Sequence, residues 1–578
     1  MKQPTLLLLS FAISRALADQ IETGLACLSL FETLPGRVSF PQWKGYEESL
    51  SSYAYLSTRL HPDCIVSPQS REDVIAIIRT LGLFESVEFA VRGGGHNTNI
   101  GFANIEDGIT VDLSAMKAIT MDSASGILSV GPGSRWQSVY DLLDPYGIAV
   151  QGGRNGDVGI GGFLTGGGIG FFSPEKGWAC DSVANFEVVL SDGSVVNANA
   201  TSNTDLFTSL KGGSNNFGII TRFDLRAFKQ GPVWGGVVIY TDAADQELID
   251  TIISFKQPDK YDPHAMFTFG FVYNQVMGAF TSDIAMYHTR PENVTGSTLE
   301  TFANVQPQIF SSLRNSTLGA FAGERLGPIL RQYYMDWATT TCVSSTPMLT
   351  RLLASFRRVS LTLTAEYPSA NLTIAVSIQS VPVAAPPNNP NSLGFDWDSH
   401  PEKDLLNLGI AFQWEDETVS AGIRRACKAF TKELDMIAKE EGVSDDHLYL
   451  GYAGSWQKVL AGYGQESLSK MRNASRKYDS KGMFQKQYLP VLGRTLIEEN
   501  VDEDSSSWMA VFPGCLPAHP SDKVKADPTY ESTKNNPKTL QLNVQSSPVH
   551  FDMFASRTNQ VTAAQTMTSM QFNHTFNL

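Results

Sequence analysis

Between Gly152 and Gly170 ten of nineteen residues are glycine. A backbone so short of Cβ atoms cannot cover a core, but it can lie against another backbone or against a ligand at distances no other residue tolerates. The spacing therefore predicts a close-packed loop here and no regular helix. A second glycine segment lies upstream, in Val91-Arg92-Gly93-Gly94-Gly95-His96-Asn97, directly after a predicted strand at Val87 to Val91. Successive N–H groups in such a turn can point at an anion, and a diphosphate is the natural occupant. His96 follows three residues with no side chains to pack it, which marks it as a functional candidate. His264 and His447 have ordinary surroundings and are read as core or surface residues.

Other glycine-based chemistries are excluded. The chain has no G-x-G-x-x-G, no G-x-x-x-x-G-K-[ST] and no G-x-S-x-G, so neither dinucleotide-binding, P-loop nor hydrolase-elbow chemistry is indicated. Cys27, Cys64, Cys180, Cys342, Cys427 and Cys515 contain no C-x-x-C pair, and no metal site is expected. Forty-four basic against fifty-nine acidic side chains leave a net charge of −15, which disfavours nucleic acid and anionic lipid as partners. No internal apolar run reaches the roughly 20 residues of a membrane span.

The first 18 residues read as a signal peptide. An apolar stretch from Leu6 to Ile13 precedes Ala16-Leu17-Ala18, and cleavage is expected after Ala18, which makes the chain secreted or lumenal. Sequons at Asn199, Asn293, Asn315, Asn371, Asn473 and Asn573 are compatible with glycosylation. In an oxidising compartment Cys27 and Cys64, which flank the start of the first domain, are the expected disulfide.

The layout is α+β. Asp73 to Leu83 has helical spacing, Gly108 to Leu113 and Gly126 to Val130 read as strands, and Ser134 is placed to cap a helix through Trp136, Val139, Tyr140 and Leu143 that Gly147 stops. Phe186 to Leu190 and Ser194 to Ala198 form a predicted hairpin, and Phe217 to Leu225 a strand closing a first domain over 57–228. A second domain over 229–450 has strand-like segments at Val237 to Tyr240, Met266 to Val272 and Leu361 to Ala365, and helix-like ones at Leu248 to Phe255 and Ala421 to Ile437. Pro382 to Pro390 reads as a loop. Val491 to Leu578, rich in Ser, Thr, Asn and Gln, is predicted to be a largely disordered tail.

Together these blocks resemble a known family. Arg92 to Asn97, the G-x-x-x-D-L-S-x-M of Gly108 to Met116, the G-P-G-x-x-W of Gly131 to Trp136, D-V-G-I-G-G-F-L-T-G-G-G-I-G from Asp157 to Gly170, and G-G-S-N-N-F-G-I-I-T from Gly212 to Thr221 are similar to the FAD-binding domain of the vanillyl-alcohol-oxidase type. More narrowly, they and the segment Asn473 to Gln485 resemble the berberine-bridge-enzyme-like oxidoreductases. The resemblance implies a two-lobed FAD-binding domain, an antiparallel-sheet substrate domain over the flavin ring, and a C-terminal segment, 451–490, returning to the first domain.

It further implies that His96 bonds covalently to the flavin 8α-methyl carbon. The cysteine that gives many relatives a second tether is Asn155 here, so one bond is expected. Arg92, Gly93, Gly94, Gly95 and Asn97, with Gly152, Asp157, Val158, Gly159, Gly161 and Gly162, would cradle the diphosphate and ring, and Ile219 and Ile220 would lie near the adenosine. A tyrosine-bearing Y-x-N-Y segment of the family corresponds to Tyr449-Leu450-Gly451-Tyr452, which makes Tyr452 the candidate base and Tyr449 its ring neighbour. Gly451 stands where the motif has asparagine, so the hydrogen bonds of that side chain are absent here. Val158, small at the flavin face, implies access for oxygen. The expected activity is oxidation of a small organic alcohol, amine or biosynthetic intermediate with O2 as acceptor. The rivals are a dehydrogenase with another acceptor and a flavin-binding protein without net oxidation.

Overall fold

The computed structural model describes residues 19–324, 330–382, 389–394 and 404–487. The expected signal peptide, the tail from Val491, Cys515 and Asn573 lie outside them. Three main sheets organise the chain. The first is four-stranded, in the order Val38–Ser39, Cys64–Val66, Ile109–Asp112, Phe89–Arg92, with the last three strands parallel. The second is an antiparallel sheet of five strands, Ile119–Asp122, Ile127–Val130, Ile219–Arg226, Val183–Val189 and Val195–Asn199. The third, nine-stranded and antiparallel, has Ala265–Asn274, Thr373–Ser380, Leu405–Trp414 and Tyr334–Val343 adjacent at its centre.

The first core forms because short strands and one amphipathic helix bury complementary faces. In the helix Arg71–Leu81, Ser70 accepts from the Asp73 N–H at the N-terminus, and Val74, Ile77, Ile78 and Leu81 fall on one side at helical spacing. They meet Val66, Phe89, Ile109 and Val111 of the sheet. The helical residues 19–33 add Ala26, Cys27 and Leu30 to the same core, and Cys27 is disulfide-bonded to Cys64 as expected. This packing therefore begins well before residue 57. From the other end of the chain Met483 and Phe484 insert into it, while the Gln487 amide donates to the Phe84 carbonyl at 2.6 Å.

The large sheet has two unlike faces, set by strand alternation. Phe267, Phe269, Phe271, Ile374, Val376, Ile378, Leu406, Leu408, Ile410 and Phe412 are buried on one side, where the helices Asp245–Phe255, Thr346–Glu366 and Ser420–Glu440 pack. The opposite side carries many small or polar residues, among them Thr268, Ala375, Ser377, Gln379, Asn407, Gly409 and Ala411, beside the larger apolar Met266, Val272, Met335, Trp337 and Leu405.

Three local expectations are corrected. The glycine block does contain a short helix, Ile160–Thr165, because Ile160 and Leu164, one turn apart, are both fully buried. Leu361 to Ala365 is the end of the helix Thr346–Glu366, not a strand; Leu349, Leu352, Phe356, Val359 and Leu363 make a buried stripe that outweighs local β-propensity. Ser134 does not cap the helix Trp136–Leu143, whose N-cap is Arg135; the Ser134 carbonyl accepts from Ile160 N–H, and its hydroxyl is buried without a hydrogen bond. Of the described sequons, Asn293, Asn315, Asn371 and Asn473 are exposed and Asn199 is half-buried.

The disulfide closes a separation of 37 residues, which constrains the unfolded chain by about 3–4 kcal/mol in the loop-entropy description. Replacing Cys27 and Cys64 together by alanine is expected to lower the denaturant midpoint markedly; an unchanged midpoint would contradict this.

Candidate active site

The site grows out of a contact between two glycine segments. A Cβ on Gly94 would lie 2.6 Å from Gly159 Cα, and one on Gly159 would lie 2.5 Å from Gly94 Cα, so each position admits only glycine while the backbones stay where they are. Arg135 locks this contact: its guanidinium donates to the Gly94 carbonyl at 2.8 Å and pairs with Asp157 at 3.0 Å. Gly95 has φ +67°, a left-handed turn that leads the chain into His96.

One cavity is lined by Gly93, Gly94, Gly95, His96 and Asn97, by Val158, Gly159, Gly161 and Gly162, and by Ile219, Ile220, Tyr449 and Tyr452. Thus most candidates, scattered over some 360 positions, meet on one surface. Arg92, Gly152 and Asp157 do not line it. Arg92 is buried beneath the loop, paired with Asp112 at 3.1 Å and stacked on the Tyr53 ring at 4.0 Å, so it holds the loop rather than a ligand. A Cβ on Gly152 would meet the Trp136 ring at 2.5 Å, which shows that this glycine serves helix packing. Asp157 pairs with Arg135 and Arg331.

His96 packs edge-on against Tyr55, with ring centroids 5.6 Å apart, and its Nε2 is buried with no hydrogen-bond partner. Burial holds the imidazole below its ordinary pKa, partly opposed by the Asp157 charge, so His96 is neutral at pH 7. A buried, unsatisfied ring nitrogen in a cavity wall is costly unless a ligand meets it. Gly162 faces open space where a Cβ would stand. The cavity wall therefore has the features a bulky planar cofactor with a diphosphate needs: bare backbone and a neutral imidazole. Asn155 also lines it, and its Oδ1 accepts from the Asp157 N–H at 2.9 Å.

The other wall belongs to the large sheet and to the turn after it. Tyr452 N–H donates to the Tyr449 carbonyl at 3.0 Å, and Gly451 permits the fold: a Cβ there would stand 2.6 Å from Tyr449 Cζ. The asparagine of the family's motif is thus excluded by the position of the Tyr449 ring. Asn99, three residues after His96, donates to the Ala453 carbonyl at 2.9 Å and ties the turn to the histidine loop. Burial pushes the Tyr449 phenol upward, so it stays protonated. Tyr452 is half-buried, leans on Trp337 at 4.6 Å between centroids, and accepts a hydrogen bond from Arg154 at 3.3 Å.

Arg154, Tyr55 and Trp337 were missed from sequence. For Arg154 a signal existed: it is the one basic residue inside the glycine block. Trp337 carried none, since an aromatic in an alternating strand is ordinarily core.

Residues 62–199 match the family model described as an FAD binding domain. FAD-dependent monooxygenase sdcF of Emericella nidulans is 33% identical over 468 residues, 80% of this chain and 96% of the relative. FAD-dependent monooxygenase drtC of Aspergillus calidoustus is 32% identical over 493 residues, 83% and 93% of the two chains. Among solved structures, 6-hydroxy-D-nicotine oxidase of Arthrobacter nicotinovorans superposes with TM-score 0.66 at 18% identity, over 79% of this chain and 97% of its own. The glucooligosaccharide oxidase of Acremonium strictum does so with TM-score 0.64 at 18% identity, over 82% and 100%. Sequence kinship, fold and the glycine-lined cavity converge: the chain is an FAD-dependent enzyme that belongs to the vanillyl-alcohol-oxidase-type FAD-linked oxidoreductases, in their berberine-bridge-enzyme-like branch.

Proposed function

We propose that this oxidoreductase is an exported oxidase that holds FAD covalently through His96 and oxidises a small organic alcohol, amine or biosynthetic intermediate. In the net reaction the substrate loses a hydride and a proton, and O2 takes up two electrons and two protons as H2O2. The observation that carries this reading is the single cavity in which a neutral His96 with an unpartnered Nε2 faces bare glycine backbone on one side and Tyr452 stands on the other. FAD, when bound, supplies the two-electron acceptor that makes loss of hydride from carbon feasible. Gly93 to Gly95 and Gly159 to Gly162 would admit it, and the His96 imidazole, unprotonated, would anchor it.

The remaining chemistry is the chain's own. Tyr452 Oη is placed to receive the substrate's hydroxyl or amine proton, and Arg154 at 3.3 Å offers a positive charge beside that oxygen. Trp337 and Tyr449 both pack against the Tyr452 ring and hold it in place. Val158 in the wall leaves room for a diatomic acceptor. The Cys27–Cys64 disulfide and four exposed sequons support passage through an oxidising compartment.

The anchoring is tested by acid denaturation. Yellow colour is expected to stay with the wild-type polypeptide and to wash out of His96→Ala, while Gly94→Ala is expected to load no flavin at all. Colour that washes out of the wild type removes the covalent bond from the proposal.

A peroxide screen over alcohols, amines, sugars and polyketide-like compounds supplies a substrate for the next test. Tyr452→Phe is expected to lower kcat by about 10²- to 10⁴-fold with flavin content unchanged. An unaltered kcat assigns Tyr452 to packing alone.

Two measurements address the acceptor. Val158→Leu is expected to slow reoxidation of the reduced enzyme by O2, and equal rates would remove the role of Val158. Because the relatives in Emericella and Aspergillus are named monooxygenases, insertion of an oxygen atom is the second reading. With ¹⁸O2 an oxidase leaves the label in peroxide, whereas a monooxygenase delivers one labelled atom to the product.

A further inference from the structure

The polar residues on the cavity face of the large sheet form a directed hydrogen-bond relay. The Thr339 hydroxyl donates to the Leu408 carbonyl at 3.0 Å, so its oxygen accepts from Asn407 Nδ2 at 2.7 Å. Asn407 then turns Oδ1 toward Gln379, whose Nε2 donates to it at 3.3 Å. That leaves Gln379 Oε1 facing Arg154, and it accepts from Arg154 Nη2 at 2.6 Å. Thr268, paired in register with Gln379 on the neighbouring strand, is a second partner of the same guanidinium. Every member of the relay is buried, Gln379 and Thr339 completely.

A buried polar chain of this length is costly to assemble unless each group is satisfied, and here each amide can adopt one orientation only. Its end product is the position of one cation. Arg154, itself buried, is delivered from the flavin-side glycine block across the cavity to within 3.3 Å of the Tyr452 oxygen. A fixed guanidinium in a wall of low dielectric favours a ligand group that carries negative charge.

The contacts beneath Trp337 and Tyr452 are apolar and close. Ala375 and Ala411 pack there with Trp337 and Tyr452, and a Cβ on Gly409 would stand 3.0 Å from the Trp337 ring and 3.2 Å from that of Tyr452. Small residues thus let the Trp337 and Tyr452 rings settle directly on the sheet and fix the place of Tyr452 beside Arg154.

We propose that Arg154, held by the Gln379–Asn407–Thr339 relay, is a specificity-determining residue that selects a substrate bearing an anionic oxygen, such as a carboxylate, and pairs with that oxygen while the group to be oxidised meets Tyr452. This rests on the reading of the cavity as the place where substrate meets FAD. Gln379 is a positioning residue, acting through Arg154.

The test uses the flavin-loaded enzyme and two probes of equal shape, 2-naphthoate and 2-naphthamide, whose binding is followed by perturbation of the flavin absorption band. Wild type is expected to bind the carboxylate about 10- to 100-fold more tightly than the amide. Arg154→Gln is expected to bring the ratio near one, and Arg154→Lys to retain part of it. Gln379→Glu, nearly isosteric, supplies a competing carboxylate and is expected to lower the ratio with flavin content unchanged. Equal affinities in wild type, or a ratio that survives both Arg154→Gln and Gln379→Glu, overturn the assignment of Arg154. If neither probe perturbs the flavin band of the wild type, the underlying reading of the cavity fails instead.

Discussion

The structure depends on the contact between Gly94 and Gly159. These residues come from segments more than sixty positions apart, and their backbones approach at a distance that any side chain would forbid. Everything around the contact serves to hold it: Arg135 bonded to the Gly94 carbonyl and paired with Asp157, Arg92 clamped below by Asp112, and Trp136 under Gly152. Because both segments spend their side chains on nothing, they leave bare backbone facing a cavity. The same economy isolates His96, whose ring nitrogen is buried with no protein partner.

The second wall obeys a different rule. A strand sheet with helices on one side must be apolar there, and the phenylalanines and leucines of the large sheet meet that demand. Alternation then gives the opposite face a lighter packing duty, met by Val272, Met335, Trp337, Ala375 and Ala411 against Ala54 and Tyr55. It carries threonine, glutamine, asparagine and glycine, residues that would be wasteful in a core, and these build the relay that ends on Arg154. The cavity thus joins a wall of bare backbone to one made by Trp337, Tyr449 and Tyr452, and the relay lies behind it and reaches it through Arg154.

Much of this was legible in order along the chain. The glycine blocks and His96 were visible because each leaves a local mark, whereas the Cys27–Cys64 pair followed from its place at the start of the first domain and the Tyr449 to Tyr452 segment from the family resemblance. Legibility failed where a local mark was ambiguous. Arg92 and Arg154 both sit in glycine-rich surroundings, yet one is turned under its loop to Asp112 and the other across the cavity to Gln379. Leu361 to Ala365 resembled a strand in isolation, and only the buried stripe over the preceding three turns shows it to be helix.

What the sequence by itself determined was the kind of site: a bare backbone cradle, an imidazole and a phenol, since glycine, histidine and tyrosine leave their marks in the sequence itself. Tertiary structure alone decided which charged and aromatic side chains face the ligand. Trp337, Gln379 and Arg154 lie up to 225 positions apart and meet through the register of antiparallel strands and the path of one loop across them. Direction across a cavity is a property of pairing between distant segments, and no local pattern of residues encodes it.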